Sequence, residues 1–171
     1  MKKYLLLSAL ALVAQSPVGQ NLAAQASAAE PAYQIIHLEI YIHRPAAEVW
    51  SKVGGYCDIA QWLNTDCKIT AGSGDVGTVR SLVGGRFTEI LVGRTKLSYA
   101  YTQPPKDGQF YNLYHGFMEA RPVTAKTSKI VYTIMWDPGQ QDAAARDAET
   151  AQRRTLFENA LKKMKAIAEG G

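Results

Sequence analysis

Residues 35–53, IIHLEIYIHRPAAEVWSKV, decide how the rest of the chain is read. Ile36, Leu38, Ile40 and Ile42 alternate with His37, Glu39, Tyr41 and His43, the two-residue period of a strand buried on one face. Arg44-Pro45 ends that strand, because proline cannot continue a ladder but suits the first turn of a helix. Ala46 to Val53 then reads as a short helix with Val49, Trp50 and Val53 on one side, stopped by Gly54-Gly55. Asp58 to Leu63 reads as a second helical turn or two carrying Ile59 and Trp62, with Asp58 most simply a cap.

After this unit come strands punctuated by glycine. Cys67–Ala71 is a weak strand, Thr78–Val83 a clear one, and Gly84-Gly85 a tight hairpin into Phe87–Val92. Lys96–Thr102, Tyr111–Ala120 and Lys129–Trp136 follow, the last closed by the turn signal Asp137-Pro138-Gly139. The final segment, Asp142 to Glu169, places Leu156, Phe157, Ala160, Leu161, Met164 and Ile167 at helical spacing. A meander of antiparallel strands must cover its apolar face, and the terminal helix is the only large cover left. The expected class is α+β: a curved antiparallel sheet wrapped around a long C-terminal helix, with two short helices after the first strand. Such a sheet, rich in tyrosine, points to a small-molecule pocket between the two layers.

The chain has 171 residues, enough for one well-buried core. Residues 1–28 have the layout of a secretory signal peptide: Lys2-Lys3, an apolar run from Tyr4 to Ala14, and small-residue cleavage sites at Ala24–Ala26 and Ala26–Ala28. The apolar run is well short of the ~20 residues of a spanning helix. The expectation is therefore a secreted or periplasmic protein, with residues 29–171 as a single domain and no stable membrane insertion after cleavage. Removing Lys2 and Lys3 leaves 17 basic and 15 acidic residues, so a net charge of +4 falls to +2. That is not the concentrated basic field of a nucleic-acid binder. Arg153-Arg154, Lys162-Lys163 and Lys165 on the last helix read as a solvated face. Cys57 and Cys67 are an even pair in an exported chain, which favours a disulfide over two buried thiols or a metal pair; neither has a histidine nearby in sequence.

Several stretches together carry a family resemblance. They are the strand end Ile42-His43-Arg44-Pro45-Ala46, Ala47-Glu48-Val49-Trp50, Ile59-Ala60-Gln61-Trp62, Val76-Gly77-Thr78-Val79-Arg80, Phe87-Thr88-Glu89-Ile90-Leu91, Tyr114–Ala120 and Trp136-Asp137-Pro138. In that order and spacing the chain resembles the START-like, or SRPBCC, superfamily of polyketide cyclase/dehydrase-like proteins, from about Tyr33 to the C-terminus. The resemblance implies a helix-grip fold with a deep cavity. It also implies relatives that bind lipids, sterols, hormones or polyketides, or that catalyse cyclisation, dehydration or lyase reactions without a cofactor. The leader and the cysteine pair depart from the common pattern.

By alternation His37 faces outward, as does His115 beside Tyr114. Phe87, Glu89 and Leu91 share a face, which similarity to the plant hormone receptors of the superfamily makes the inner one. A lone carboxylate there is costly unless paired, and Arg80 on the partner strand is its mate, structural or functional. Tyr99 and Tyr101, then Tyr114, Gly116 and Met118, then Tyr132, Ile134 and Trp136 each share a strand face. Matched to the family pattern they line the cavity, with Phe157 from the helix; the competing reading is core filler. Arg153, one turn before Phe157, stands at the cavity mouth or on the surface. No serine elbow, phosphate loop, dinucleotide fingerprint or histidine-rich metal spacing occurs, so the chain points to no cofactor and no metal.

Three functions follow. The first is an exported carrier of a small hydrophobic, aromatic or phenolic molecule. The second is a cofactor-independent lyase, cyclase or dehydratase, with Glu89, Arg80 and Tyr114 as its acid–base group. The third is an interaction module with a filled core.

Overall fold

The computed structural model describes residues 33–170, so the leader expected at 1–28 lies outside them. The chain runs β1 (Gln34–Ile42), α1 (Ala46–Val53), α2 (Ile59–Trp62), β2 (Cys67–Ala71), β3 (Val79–Leu82), β4 (Phe87–Arg94), β5 (Ser98–Thr102), β6 (His115–Pro122), β7 (Ser128–Trp136) and α3 (Ala143–Glu169). The strands form one antiparallel sheet in the order β1-β7-β6-β5-β4-β3-β2. This is the curved sheet, long C-terminal helix and pair of short helices expected from the sequence.

Local chemistry accounts for the boundaries. Ile36, Leu38 and Ile42 of β1 are buried while His37, Glu39 and Tyr41 are exposed, so the alternation holds across the strand. Pro45 precedes α1, and Gly54 ends it. A Cβ on Gly54 would lie 2.3 Å from the Trp50 indole, so only glycine lets that ring fold back over the helix end. Asp142 caps α3 by accepting from the Ala145 amide at 2.8 Å. At the other end Lys52 donates to the Ala168 carbonyl (2.9 Å) and Arg44 to that of Glu169 (3.2 Å), placing cations from α1 and its turn where the α3 dipole is negative.

Phe157, Ala160, Leu161, Met164 and Ala168 form the buried stripe of α3. It packs on β1 and on both short helices. Cys57 and Cys67 are disulfide-bonded, with Cα atoms 5.5 Å apart, tying the α1–α2 connection to edge strand β2. Among the described residues no helix is long and apolar enough to cross a membrane.

Three local readings are corrected. Asp58 makes no capping bond to α2; its carboxylate instead accepts from the Gly55 amide at 2.6 Å and closes the preceding turn. Phe87 shares the parity of Glu89 but stands at the end of the hairpin and is 38% exposed, although Leu82 opposite it is buried. The sixth strand begins at His115, not Tyr111. Pro104 and Pro105 offer no amide donors, and the connection closes only where the Gln103 amide reaches the Tyr114 carbonyl (3.0 Å).

Candidate ligand site

Arg80 and Glu89 occupy directly opposed positions on β3 and β4. The short connection through Gly84 and Gly85, both at positive φ, fixes that register. Arg80 is fully buried and Glu89 is 4% exposed. The Glu89 Oε2 atom accepts from Arg80 Nε at 2.8 Å and from Nη2 at 2.6 Å, while Oε1 accepts from Gln103 Nε2 at 3.1 Å. Arg80 Nη1 donates to the Tyr56 carbonyl. A buried charge is tolerable only with such partners, and here both ions have them.

Aromatic rings enclose the guanidinium. Its central carbon lies 4.2 Å from the Tyr56 ring centroid, 5.0 Å from Tyr101 and 5.8 Å from Tyr99, within reach of cation–π attraction. Burial works against the charge on Arg80, but Tyr99 and Glu89 outweigh it and its pKa moves up.

The remaining predicted residues extend this cluster. Tyr101 and Tyr132 share a hydroxyl–hydroxyl bond of 2.8 Å. Tyr132 meets Phe157 of α3 edge-on at 5.0 Å and Trp62 of α2 at 6.2 Å. Tyr101 and Tyr114 stand 6.2 Å apart. Met118 is fully buried, between Tyr99 of β5 and Tyr132 of β7 in the ladder. Trp136 lies slightly apart: its indole donates to Glu149 (3.2 Å), and Arg153 stacks over Trp136 at 4.7 Å and Tyr114 at 5.2 Å. Arg153 also holds Glu149 at 2.6 Å, which joins the start of α3 to the rim of the cluster. His37 is exposed and bonds Thr133 (2.9 Å), and His115 is half-buried.

Burial pushes the phenols of Tyr99, Tyr101 and Tyr132 above their ordinary pKa, and that of Tyr114 up to about 12. At neutral pH all four are uncharged hydrogen-bonding groups. None is a phenolate base.

Sequence reasoning missed three contributors. Tyr56 supplies a ring and a carbonyl to Arg80 from a loop with no periodicity to read. Gln103 supplies the third hydrogen bond to Glu89. Trp62 packs on Tyr132. Gly116, already placed on the inner face with Tyr114 and Met118, pairs with Tyr101 in the ladder, and a Cβ there would lie 2.2 Å from the Tyr101 ring, so its bare backbone is what seats that tyrosine. A glycine within a strand marks such a close approach.

The rings belong to the buried core beneath the sheet. Clefts among the described residues include one between β1 and α3 at Leu38 and Leu161, one of about 130 Å³ between Phe87 and Phe110, and an open one of about 630 Å³ beside Trp50. Among the described residues no cluster of three His, Cys, Asp or Glu side chains is placed to hold a metal ion.

Residues 34–169 match the family described as polyketide cyclase/dehydrase and lipid transport. No curated protein matches the chain. Among solved structures, the fold is similar to that of a Thermobifida fusca protein (TM-score 0.65, 22% identity, covering 78% of this chain and 92% of that one). It is also similar to an uncharacterised Bacillus thuringiensis protein (TM-score 0.61, 16% identity, 77% and 96%) and to Ara h 8.0201 (TM-score 0.60, 14% identity, 81% and 99%). At such identities these likenesses establish the fold alone, and the family follows from the match across almost all of the described residues. The chain belongs to the polyketide cyclase/dehydrase and lipid transport family, within the START-like superfamily.

Proposed function

We propose that this protein is an exported carrier that holds a small hydrophobic, aromatic molecule between its sheet and α3, around Arg80 and Glu89. The observation that carries the reading is the interior itself: neutral tyrosines from β5, β7 and the residue before β6 gather around one buried ion pair. Interiors built only for stability seldom concentrate so many polar-tipped rings, whereas ligand sites combine an aromatic wall with a few polar anchors. A bound molecule takes its place by turning rings aside, most readily those held by fewest hydrogen bonds. The Cys57–Cys67 disulfide supports export, since such bonds persist in oxidising compartments.

Native mass spectrometry of the protein isolated from its own host tests this. The expected result is an added mass of a few hundred daltons that is released on unfolding. Protein that carries no added mass, and takes up none from an extract of its host's surroundings, speaks for a filled-core interaction module instead.

A second reading rests on one detail. Glu89 Oε2 takes both Arg80 bonds, while Oε1 has Gln103 alone and keeps accepting capacity. In a cofactor-independent lyase, cyclase or dehydratase, that oxygen is the proton acceptor and Tyr114 a neutral donor. Glu89→Gln preserves shape and removes titration, so such an enzyme loses ~10²-fold or more in turnover while still binding. A carrier shows no turnover before or after the change.

A further inference from the structure

The two edges of the sheet are built differently. β2, at one end, is five residues long, carries Lys68 and breaks its register with β3 between Ile69 and Ala71. Short length, a lysine and a bulge are the usual defences of an exposed edge against pairing with another strand. β1, at the other end, has none of them. It runs for nine residues without proline, lysine or a register shift against β7. Ile35 and Tyr41 stand 60% and 56% exposed on its outer face.

The free side of β1 follows from its hydrogen bonds. Lys165 of α3 donates to the Tyr41 carbonyl at 2.7 Å, and the His43 amide donates to Glu169 at 2.8 Å, so backbone groups of odd-numbered residues turn away from β7. Following the ladder across from the Ala120–Leu97 backbone bond gives the same parity, since bonding alternates along each strand. Ile35, His37 and Glu39 therefore present N–H and C=O groups along an open edge. α3 runs beside β1 in the same direction, from Thr150 near Gln34 to Lys165 near Tyr41. The groove between them is lined by Leu38, Glu39, Ile40, Glu158, Leu161 and Lys162.

We propose that β1 pairs with β1 of a second copy of this chain, antiparallel about a two-fold axis at Leu38, so that one sheet runs through both molecules. The strand is self-complementary about that point. Ile35 lies opposite Tyr41 of the second copy and His37 opposite Glu39, an apolar pair and an acid–base pair that each occur twice. All four residues have the outward parity, so each pair bonds directly through its backbone. His37 uses Nδ1 toward Thr133 and Glu39 uses Oε2 toward Lys129, which leaves Nε2 and Oε1 for each other across the axis. Leu38 meets Leu38 on the inner face and enters the groove. The axis reverses α3 as well, bringing Glu158 of one copy to the side of Lys162 of the other. Neighbouring registers lose this match: an axis at Ile40 sets His37 against His43, and one at Ile36 sets it against Ile35. The pairing goes beyond the carrier reading and does not depend on it.

Sedimentation velocity of the oxidised protein over a concentration series tests it. The expected species is a dimer in which amide exchange at Ile35, His37 and Glu39 slows as concentration rises. His37→Glu sets carboxylates against each other twice and is expected to weaken the dimer about tenfold or more. Adding Glu39→Lys restores opposite charges and is expected to recover the association. Both positions are exposed, and far-ultraviolet dichroism is expected to stay that of the parent in each variant. A monomer at every concentration, a dimer that neither change affects, or one whose β1 amides exchange no more slowly, overturns the pairing.

Discussion

Arg80 Nη2 and Glu89 Oε2 sit 2.6 Å apart across the β3–β4 hairpin with almost no exposure to solvent. Every other ion pair described involves side chains at least a fifth exposed. Exposed pairs contribute little, so the electrostatics that matter to this fold are concentrated at one point. An interior built for stability alone gains nothing from a buried pair that apolar side chains of similar volume would replace. Its retention beneath a ring of tyrosines is therefore the chief physical reason to assign the place a ligand.

Burial of this pair sets an order among variants. Glu89→Leu leaves Arg80 buried and uncompensated, and is expected to cost about 3–5 kcal/mol in urea unfolding. Adding Arg80→Met to it is expected to recover most of that loss. If the double variant is less stable than the single one, the pair is holding the fold together.

The tyrosines divide by their hydroxyl partners. Tyr101→Phe removes a buried bond to Tyr132 and is expected to destabilise by about 1 kcal/mol, whereas Tyr56→Phe removes a buried hydroxyl with no such bond and is expected to be neutral or stabilising. The two melting temperatures, measured without ligand, decide this. A larger loss from Tyr56→Phe contradicts the assignment of its hydroxyl.

How much of this was legible in the chain depended on distance along it. The alternation of β1, the glycine hairpin and the spacing of Phe157, Ala160, Leu161 and Met164 are local patterns, and the architecture followed from them. Arg80 and Glu89 could be paired because two glycines leave a hairpin little choice of register. Tyr56 could not be placed, because a ring in an aperiodic loop goes where the disulfide and the sheet put it. Phe87 obeyed the right parity yet is exposed at the hairpin end while Leu82 opposite it is buried, a difference that alternation cannot see. Whether the interior is open or filled depends on ring orientations such as that of Tyr101 over Gly116, set by neighbours from three strands.

Gly116→Ala tests that last contact. The new methyl group collides with a ring wedged between neighbours, and the expected cost is about 2 kcal/mol by urea unfolding. A stability unchanged from the parent means the Tyr101 ring has room to move.

Alkaline pH bears on the same rings. The folded-state pKa values of Tyr99, Tyr101, Tyr114 and Tyr132 lie above the unfolded value of about 10. Above that pH the unfolded chain sheds phenolic protons that the folded chain keeps. Their stabilising contribution is thus complete below pH ~10 and lost as pH rises beyond it, by up to about 1.4 kcal/mol per pH unit for each ring. Tyrosinate absorbance is expected to rise in one cooperative step that coincides with loss of the near-ultraviolet dichroism. Gradual ionisation of these tyrosines in the folded protein contradicts their burial.

The most direct test of the account is a carbon spectrum of protein labelled at the tyrosine ζ position, titrated with methyl naphthyl ketone. The account predicts that the signals of Tyr56, Tyr99 and Tyr101 move with saturating probe while those of the exposed Tyr33 and Tyr41 stay in place, each assigned by its phenylalanine variant. Signals of the interior tyrosines that remain fixed while surface ones shift, or a spectrum the probe does not alter, contradict a ligand site around Arg80.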